Sequence, residues 1–134
     1  MESLTIEPTE FTPEVQFDIS SNIFEISGVS MPENASGFYM QLLSWLKEYE
    51  VNFLDEGKTT GLILIKLNFK LSYCNSASSK YLLTMMERLR EFKDLGLNIE
   101  INWYYDAGDD MMLDDGKDLS DSVNIPFNYH AVIK

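Results

Sequence analysis

Three serines, an asparagine and a lysine lie together where a predicted helix begins. The segment is Asn75-Ser76-Ala77-Ser78-Ser79-Lys80, and it follows a predicted strand over Leu62 to Tyr73. The first N–H groups of a helix have no partner inside the helix, so oxygen-bearing side chains cap this end and anions bind to it. One reading is that Asn75, Ser76 or Ser78 only caps the helix. The other is that a hydroxyl here accepts a phosphate, which would gain from the helix dipole and add about −1.5 to −2 charges.

Two further features bear on this segment. Lys80 lies four residues after Ser76, where its ammonium group could contact a phosphate, although a solvated lysine is the commoner outcome. Pro32-Glu33-Asn34 precedes another predicted helix, and this block would shape the acceptor loop if both loops lie at one edge of a sheet. The alternative is that Asn34 caps its helix and Pro32 sets the entry of the chain.

The other residues that could do chemistry are seven aspartates between Asp106 and Asp121. Clustered carboxylates bind hard cations, but the spacing does not fit an EF-hand loop, because Asp109 and Asp110 are adjacent and no bidentate Glu follows at the required position. A metal-dependent hydrolase built on this cluster is an alternative, although it lacks a clear base, nucleophile and phosphate cradle. The commoner reading is a solvated acidic surface, on a loop and a short, poorly packed helix.

Cys74 and His130 each occur once in the chain. A single Cys forms no internal disulfide, and a single His excludes most zinc sites and the usual Ser/His or Cys/His nucleophile pairs. We expect His130 to be packed or exposed in a final strand. We therefore expect no catalytic residue, no cofactor and no metal, and a function other than that of an enzyme.

The charge of the chain limits its partners. Its 134 residues include 22 acidic and 10 basic side chains, for a net charge of −12. Phosphate backbones and anionic lipids would repel such a surface, which leaves proteins as the expected partners. The acidic, polar start does not resemble a signal peptide, and no apolar run approaches the roughly 20 residues that span a bilayer. We expect a cytoplasmic protein without membrane insertion.

The elements that must position these residues begin with strands. Val15 to Asp18 and Ile23 to Ser27 predict an antiparallel hairpin, and Gly28 to Asn34 is expected to be irregular. Apolar residues at helical spacing predict a first helix over Ala35 to Leu54, broken by Asp55-Glu56-Gly57-Lys58. The apolar run that opens the next strand, Leu62 to Phe69, is typical of a strand covered on both faces.

Helices and strands alternate in the second half. An apolar stripe predicts a second helix that ends at Gly96, and it consists of Leu82, Met85, Met86, Leu89 and Phe92. Asn98 to Tyr105 and Phe127 to Ile133 predict two more strands. Aromatic residues in strands are more often core, but alternation suggests that one of Trp103, Tyr104 and Tyr105 faces out, and Tyr104 is the candidate interface residue. This order predicts an α/β fold in one domain over 1–134, with a mostly parallel sheet, an N-terminal antiparallel hairpin and helices packed on the sheet. Residues 1–12 are expected to be extended or flexible.

Four blocks of the sequence resemble the SiaC family of bacterial regulatory phosphoproteins, which has a STAS-like fold. The blocks are Thr12-Pro13, Gly28 to Asn34, Tyr73 to Lys80 and Asn102 to Asp106, with Pro126-Phe127 closing the domain. The Pro-Glu-Asn and Asn-[Ser/Thr]-x-Ser patterns are specific in combination and weak alone. The resemblance spans nearly the whole chain.

The resemblance implies a phosphorylation site at the position after the family's Asn, which is Ser76. A partner Ser/Thr kinase would modify this residue and a PP2C-like phosphatase would restore it. The unphosphorylated form would bind and regulate a target such as a diguanylate cyclase, in c-di-GMP signalling and biofilm regulation. Ser76 replaces the Thr of the best-known member, and serine remains a competent acceptor.

The sequence therefore favours a switch protein whose interface surrounds Ser76. The candidate interface residues are Asn75, Ser78, Ser79, Lys80, Pro32, Glu33, Asn34 and Tyr104. A constitutive adaptor in which Ser76 is only a helix cap is the other alternative.

Overall fold

The computed structural model describes residues 1–55 and 63–133. In chain order, these residues form β1 (Leu4–Ile6), β2 (Glu14–Asp18), β3 (Ile23–Ser30), α1 (Ala35–Asp55), β4 (Leu64–Cys74), α2 (Ser76–Asp94), β5 (Asn98–Asp106), α3 (Asp110–Val123) and β6 (Phe127–Val132). Most of the predicted break after the first helix, and Leu62 at the start of the predicted strand, lie outside the described residues.

The strands lie side by side in chain order in one sheet. β1, β2 and β3 pair in antiparallel fashion, and β3, β4, β5 and β6 pair in parallel. The predicted mixed sheet with an N-terminal antiparallel hairpin is confirmed. Each crossover after β3 moves to the next strand in the same direction, so right-handed crossovers place α1, α2 and α3 on one face of the sheet.

The prediction that the central strand is covered on both faces is wrong. Buried residues alternate with polar or exposed ones along β4, so that Ile65 and Leu67 face the helices while Lys66 and Lys70 are exposed on the other face. A strand covered on one face has this period of two. We call the face without described helices the open face.

The core lies between the helices and the covered face of the sheet. Its largest fully buried side chains include Trp103, Tyr39, Phe17 and Phe24. The Trp45 indole N–H on α1 donates a hydrogen bond to the Glu2 carbonyl oxygen at 2.8 Å, which fixes the segment that contains β1. The sequence did not predict β1, because three residues are too few to give an alternating pattern.

The prediction that residues 28–34 are irregular is wrong for residues 28–30, because β3 continues through Ser30. Gly28 has a φ of +108°, and the register with β4 shifts between Gly28 and Val29. This is a β-bulge whose extra residue is Ser72 of β4, opposite the Gly28 to Val29 step of β3. Glycine adopts its positive φ without a steric penalty, so Gly28 does not end β3.

The predicted bounds of the first two helices agree with the structure. Asn34 precedes α1, and Gly96, with a φ of +98°, follows the α2 C-cap residue Leu95. No helix in the described ranges is both long and apolar enough to cross a membrane.

The expectation of a loop and a short, poorly packed helix after β5 is wrong, because α3 has 14 residues. The Asp109 carboxylate caps it by accepting a hydrogen bond from the Met112 N–H at 3.1 Å. Its buried residues recur at helical spacing, and they are Met112, Gly116, Leu119 and Val123. The aspartates hid this stripe from sequence reasoning because they occupy the rest of the helix surface.

Candidate functional site

The two loops with most of the candidate interface residues meet at one edge of the sheet. β3 and β4 are parallel, and Ser30 lies opposite Cys74 where both strands end. The Asn75 N–H donates a hydrogen bond to the Ser30 carbonyl oxygen at 3.0 Å. Residues 31–34 and 75–79 are therefore neighbours at the carboxyl ends of the parallel strands, where α/β proteins commonly bind ligands.

Asn75 is the N-cap of α2. Its backbone is extended, and its side-chain oxygen accepts a hydrogen bond from the Ser78 N–H at 2.8 Å. Ser76 follows and is the first residue of the helix. Its side chain is exposed, and its hydroxyl makes no hydrogen bond to any described residue. The reading of Ser76 as a helix cap is wrong, because Asn75 takes that position.

Ser78 is fully buried under the first turn of α2. Its Oγ lies 2.8 Å from the Oγ of Ser30, which in turn lies 2.6 Å from the hydroxyl of Tyr39. Burial raises the pKa of Tyr39 to about 12, so this hydroxyl stays protonated at neutral pH. Sequence reasoning missed Ser30 and Tyr39. Ser30 lies 48 residues before Ser78 and Tyr39 lies 39 residues before it, so no local pattern connects them. The one sequence signal was that Ser30 belongs to a block that resembles the family.

Of the three serines in segment 76–79, Ser76 is the one whose side chain is exposed. Ser79 is half-buried, and its Oγ lies 3.5 Å from the Cys74 Sγ. Burial raises the pKa of the Cys74 thiol, which therefore stays protonated at neutral pH. Lys80 is exposed four residues after Ser76, and this spacing places both side chains on one face of the helix.

The loop before α1 lies beside the start of α2 and caps its own helix. The Asn34 side-chain oxygen accepts a hydrogen bond from the Gly37 N–H at 3.0 Å, so Asn34 caps α1. Pro32 is buried and Glu33 is exposed, next to the start of α2. Their contact with a partner stays a prediction.

Part of the acidic surface of α3 lies near this edge. Asp115 is exposed, but partial desolvation, followed by the charges of Asp118, Asp109 and Asp114, raises its pKa. The charge of Asp115 also contributes to the raised pKa of Cys74 at the end of β4. In residues 1–55 and 63–133, no three His, Cys, Asp or Glu side chains are grouped so that they could hold a metal ion.

Tyr104 lies on the open face and not beside α2. Its ring stacks on His130 with centroids 4.6 Å apart, and the Lys70 Nζ lies 5.0 Å from its centroid. A groove of about 490 Å³ beside it is lined in part by Gly28 and Ser72. Successive residues of a strand point to opposite faces, so the burial of Trp103 turns Tyr104 to the open face. Its role in an interface stays a prediction.

A family model for regulatory phosphoproteins of the SiaC family matches residues 6–132. The chain belongs to the SiaC family. An uncharacterised protein of Pseudomonas aeruginosa (strain UCBPP-PA14) is 25% identical over 131 residues, which cover 98% of each chain. The resemblance seen in the sequence blocks is thereby confirmed.

Solved SiaC structures share the fold of this SiaC-family chain. Apo-SiaC of P. aeruginosa superposes with a TM-score of 0.81 at 21% identity, covering 98% of this chain and 100% of that chain. SiaC from the complex of the diguanylate cyclase SiaD with its activator SiaC, also from P. aeruginosa, gives a TM-score of 0.82 at 23% identity. This match covers 96% of this chain and 99% of that chain.

Three of the SiaC-family blocks lie together in space. The Met31 N–H donates a hydrogen bond to the Phe11 carbonyl oxygen at 2.8 Å, which brings Thr12-Pro13 beside the block over residues 28–34. The bond from the Asn75 N–H to the Ser30 carbonyl then connects that block to residues 73–80. These three blocks therefore lie at one edge of the sheet, around the start of α2.

Proposed function

We propose that this SiaC-family chain is a phosphorylation-controlled protein-binding switch and not an enzyme. A Ser/Thr kinase phosphorylates Ser76, a PP2C-like phosphatase removes the phosphate, and the unphosphorylated form binds and regulates a target protein in the cytoplasm. A diguanylate cyclase is the leading target class, because the related SiaC is the activator of the diguanylate cyclase SiaD in the solved complex. This target class places the chain in c-di-GMP signalling.

The exposed Ser76 hydroxyl at the first position of α2 is the observation that carries the proposal. A kinase must bring the acceptor hydroxyl in line with the γ-phosphate of ATP, so the hydroxyl has to project from the folded surface. The buried Ser78 does not meet this requirement, and the half-buried Ser79 meets it less well. The family description as regulatory phosphoproteins supports phosphorylation as the form of control.

The phosphate acts on the partner interface through its charge. It adds about −1.5 to −2 charges to a chain whose net charge is already −12, beside the loop that carries the exposed Glu33. Covering that charge with a partner would require its desolvation, which is costly unless the partner supplies compensating donors. In the free protein, the dipole and the first N–H groups of α2 stabilise the phosphate. Phosphorylation therefore releases the target without refolding the domain.

Four baits test the proposal in extract of the organism that encodes the chain. They are the wild type, Ser76→Ala, Ser76→Glu and the control Ser122→Glu, which adds the same charge at an exposed position near the end of α3. Mass spectrometry maps phosphate on the wild-type chain and identifies the proteins that each bait retains. We expect phosphate on Ser76, a target retained by the wild type, Ser76→Ala and Ser122→Glu, and loss of that target with Ser76→Glu.

A direct assay tests the target class. Diguanylate cyclases encoded by the same genome are purified, and c-di-GMP synthesis is measured with each variant added. Stimulation by Ser76→Ala and Ser122→Glu but not by Ser76→Glu supports the proposal. An unmodified Ser76, together with equal retention of all partners by the Ala and Glu variants, would contradict it and leave a constitutive adaptor.

A further inference from the structure

A directed chain of hydroxyl groups lies beneath the first turn of α2. The Ser78 hydroxyl donates to the Ser30 carbonyl oxygen at 3.2 Å, and the Ser30 hydroxyl donates to the Ser78 Oγ at 2.8 Å. A hydroxyl has one proton to donate. The Tyr39 hydroxyl, 2.6 Å from the Ser30 Oγ, must therefore be the donor of that bond.

This hydroxyl chain of Ser30, Tyr39 and Ser78 connects three elements. Ser30 ends β3, Tyr39 lies on α1, and Ser78 lies in the first turn of α2. The Ser30 carbonyl accepts a second bond from the Asn75 N–H at 3.0 Å, so both Asn75 and Ser78 are fixed to the same atom. All three side chains are 0% exposed, and a protein that binds the folded chain cannot touch their hydroxyls.

We propose that this hydroxyl chain is a positioning device for phosphate transfer, in which Ser30, Tyr39 and Ser78 hold the first turn of α2 so that the Cα–Cβ bond of Ser76, which carries the acceptor hydroxyl, projects in one direction. The inference rests on Ser76 being the acceptor, as proposed above. It assigns these three residues as positioning residues that never contact the kinase. It also accounts for why Ser76 and not Ser78 accepts the phosphate. The Ser78 hydroxyl is buried, and it both donates and accepts hydrogen bonds inside the protein.

The physical reason is the geometry of phosphoryl transfer. Catalysis depends on holding the attacking oxygen in line with the phosphorus atom, and a misplacement of about 1 Å can cost a hundredfold in rate. Ser76 is the first residue of its helix and has no side-chain bond of its own to the described residues. The position of its Cβ, about which the hydroxyl rotates, therefore depends on the backbone of its turn, and the hydroxyl chain fixes that backbone.

The test compares two Ser→Ala variants that each lose a hydroxyl bonded to a backbone carbonyl. Ser78→Ala removes the link in the hydroxyl chain. Ser120→Ala is the matched control, because its hydroxyl donates to the Ile125 carbonyl oxygen at 2.6 Å near the end of α3. Each purified protein is incubated with ATP and host extract well below its Tm, and the rate at which Ser76 gains phosphate is measured by mass spectrometry.

We expect Ser78→Ala to gain phosphate on Ser76 about tenfold more slowly than the wild type, and Ser120→Ala to match the wild type. Hydrogen exchange adds a readout that is independent of the kinase. In Ser78→Ala, the backbone N–H groups at positions 78 and 79 should exchange faster than the same groups of the wild type, while those of α3 should not change.

A wild-type rate for Ser78→Ala would overturn the positioning role and leave the proposed function standing, since Ser76 would still be the acceptor. Absence of phosphate from wild-type Ser76 would overturn both. If Ser78→Ala does not fold, Tyr39→Phe is compared with Tyr49→Phe, whose lost hydroxyl donates to the Asn22 side-chain oxygen at 2.9 Å. Slower phosphorylation of Tyr39→Phe alone supports the inference, and equal rates overturn it.

Discussion

The side-chain oxygen of Asn75 accepts a hydrogen bond from the backbone N–H of Ser78 at 2.8 Å. Asn75 therefore caps the N-terminus of α2, and the hydroxyl of the neighbouring Ser76 is not needed as a cap. The stabilising residue and the candidate acceptor are thus adjacent but distinct.

Substitution should separate these two roles. We expect Asn75→Ala to lower the free energy of unfolding by about 1 kcal/mol, because it removes a cap. Ser76→Ala should change it by less than about 0.5 kcal/mol, as exposed positions without such bonds do. Urea denaturation of both variants measures the difference. A loss with Ser76→Ala as large as that with Asn75→Ala would return the capping role to Ser76.

Gly116 allows α3 to pack directly on Trp103. A Cβ added at this position would lie 2.6 Å from the indole ring, so we expect Gly116→Ala to destabilise the protein by about 1–3 kcal/mol through overpacking. The helix propensity of alanine opposes this loss by about 1 kcal/mol. Ser122→Ala, at an exposed position of the same helix, controls for propensity and should be neutral or stabilising. A Tm for Gly116→Ala at or above that of Ser122→Ala would show that the helix can shift away from Trp103.

The stability of the protein should depend on the charge of Asp115. Partial desolvation and the neighbouring aspartates raise its pKa above the ordinary value of 3.8 in the folded state. Between these two pKa values the folded state binds more protons than the unfolded state, so stability falls as the pH rises through this window. We expect Asp115→Asn to have a higher Tm than the wild type at pH 7 and to lose this advantage below about pH 3.8.

The control for this pH dependence is Glu48→Gln, which removes one negative charge from an exposed position on α1. Its Tm difference from the wild type at pH 7 should be smaller. If Asp115→Asn and Glu48→Gln give equal differences, the effect comes from net charge and not from the site of Asp115.

Tyr39 should make the protein sensitive to alkaline pH. Its folded-state pKa is about 12, whereas the ordinary value is 10.0, because burial disfavours the phenolate. The folded state therefore retains a proton that the unfolded state releases, and stability falls as the pH rises from about 10 to 12. In urea denaturation at a series of pH values, Tyr39→Phe should lose stability less steeply than the wild type over this range. Parallel curves would argue against this contribution from Tyr39.

The acceptor segment could be found from the sequence because its signals are local. Oxygen-bearing side chains before an apolar helical stripe indicate a helix start, and the Asn-Ser-x-Ser pattern at 75–78 resembled the SiaC family. The element order and the mixed sheet also followed from patterns within single elements. There were two exceptions. β1 is too short to give an alternating pattern, and in α3 aspartates obscured a stripe that includes Gly116, a residue with no side chain to mark it as buried.

The sequence by itself determined the order of the elements after β1, the family and the position of Ser76 at the start of a helix, because each depends on residues close together in the chain. The tertiary structure decided which hydroxyl is exposed, since Ser78 is buried by Ser30 and Tyr39, which come from other elements. It also decided that one face of the sheet carries α1, α2 and α3. That outcome depends on the order in which the parallel strands pair, and no local pattern encodes the pairing of distant strands.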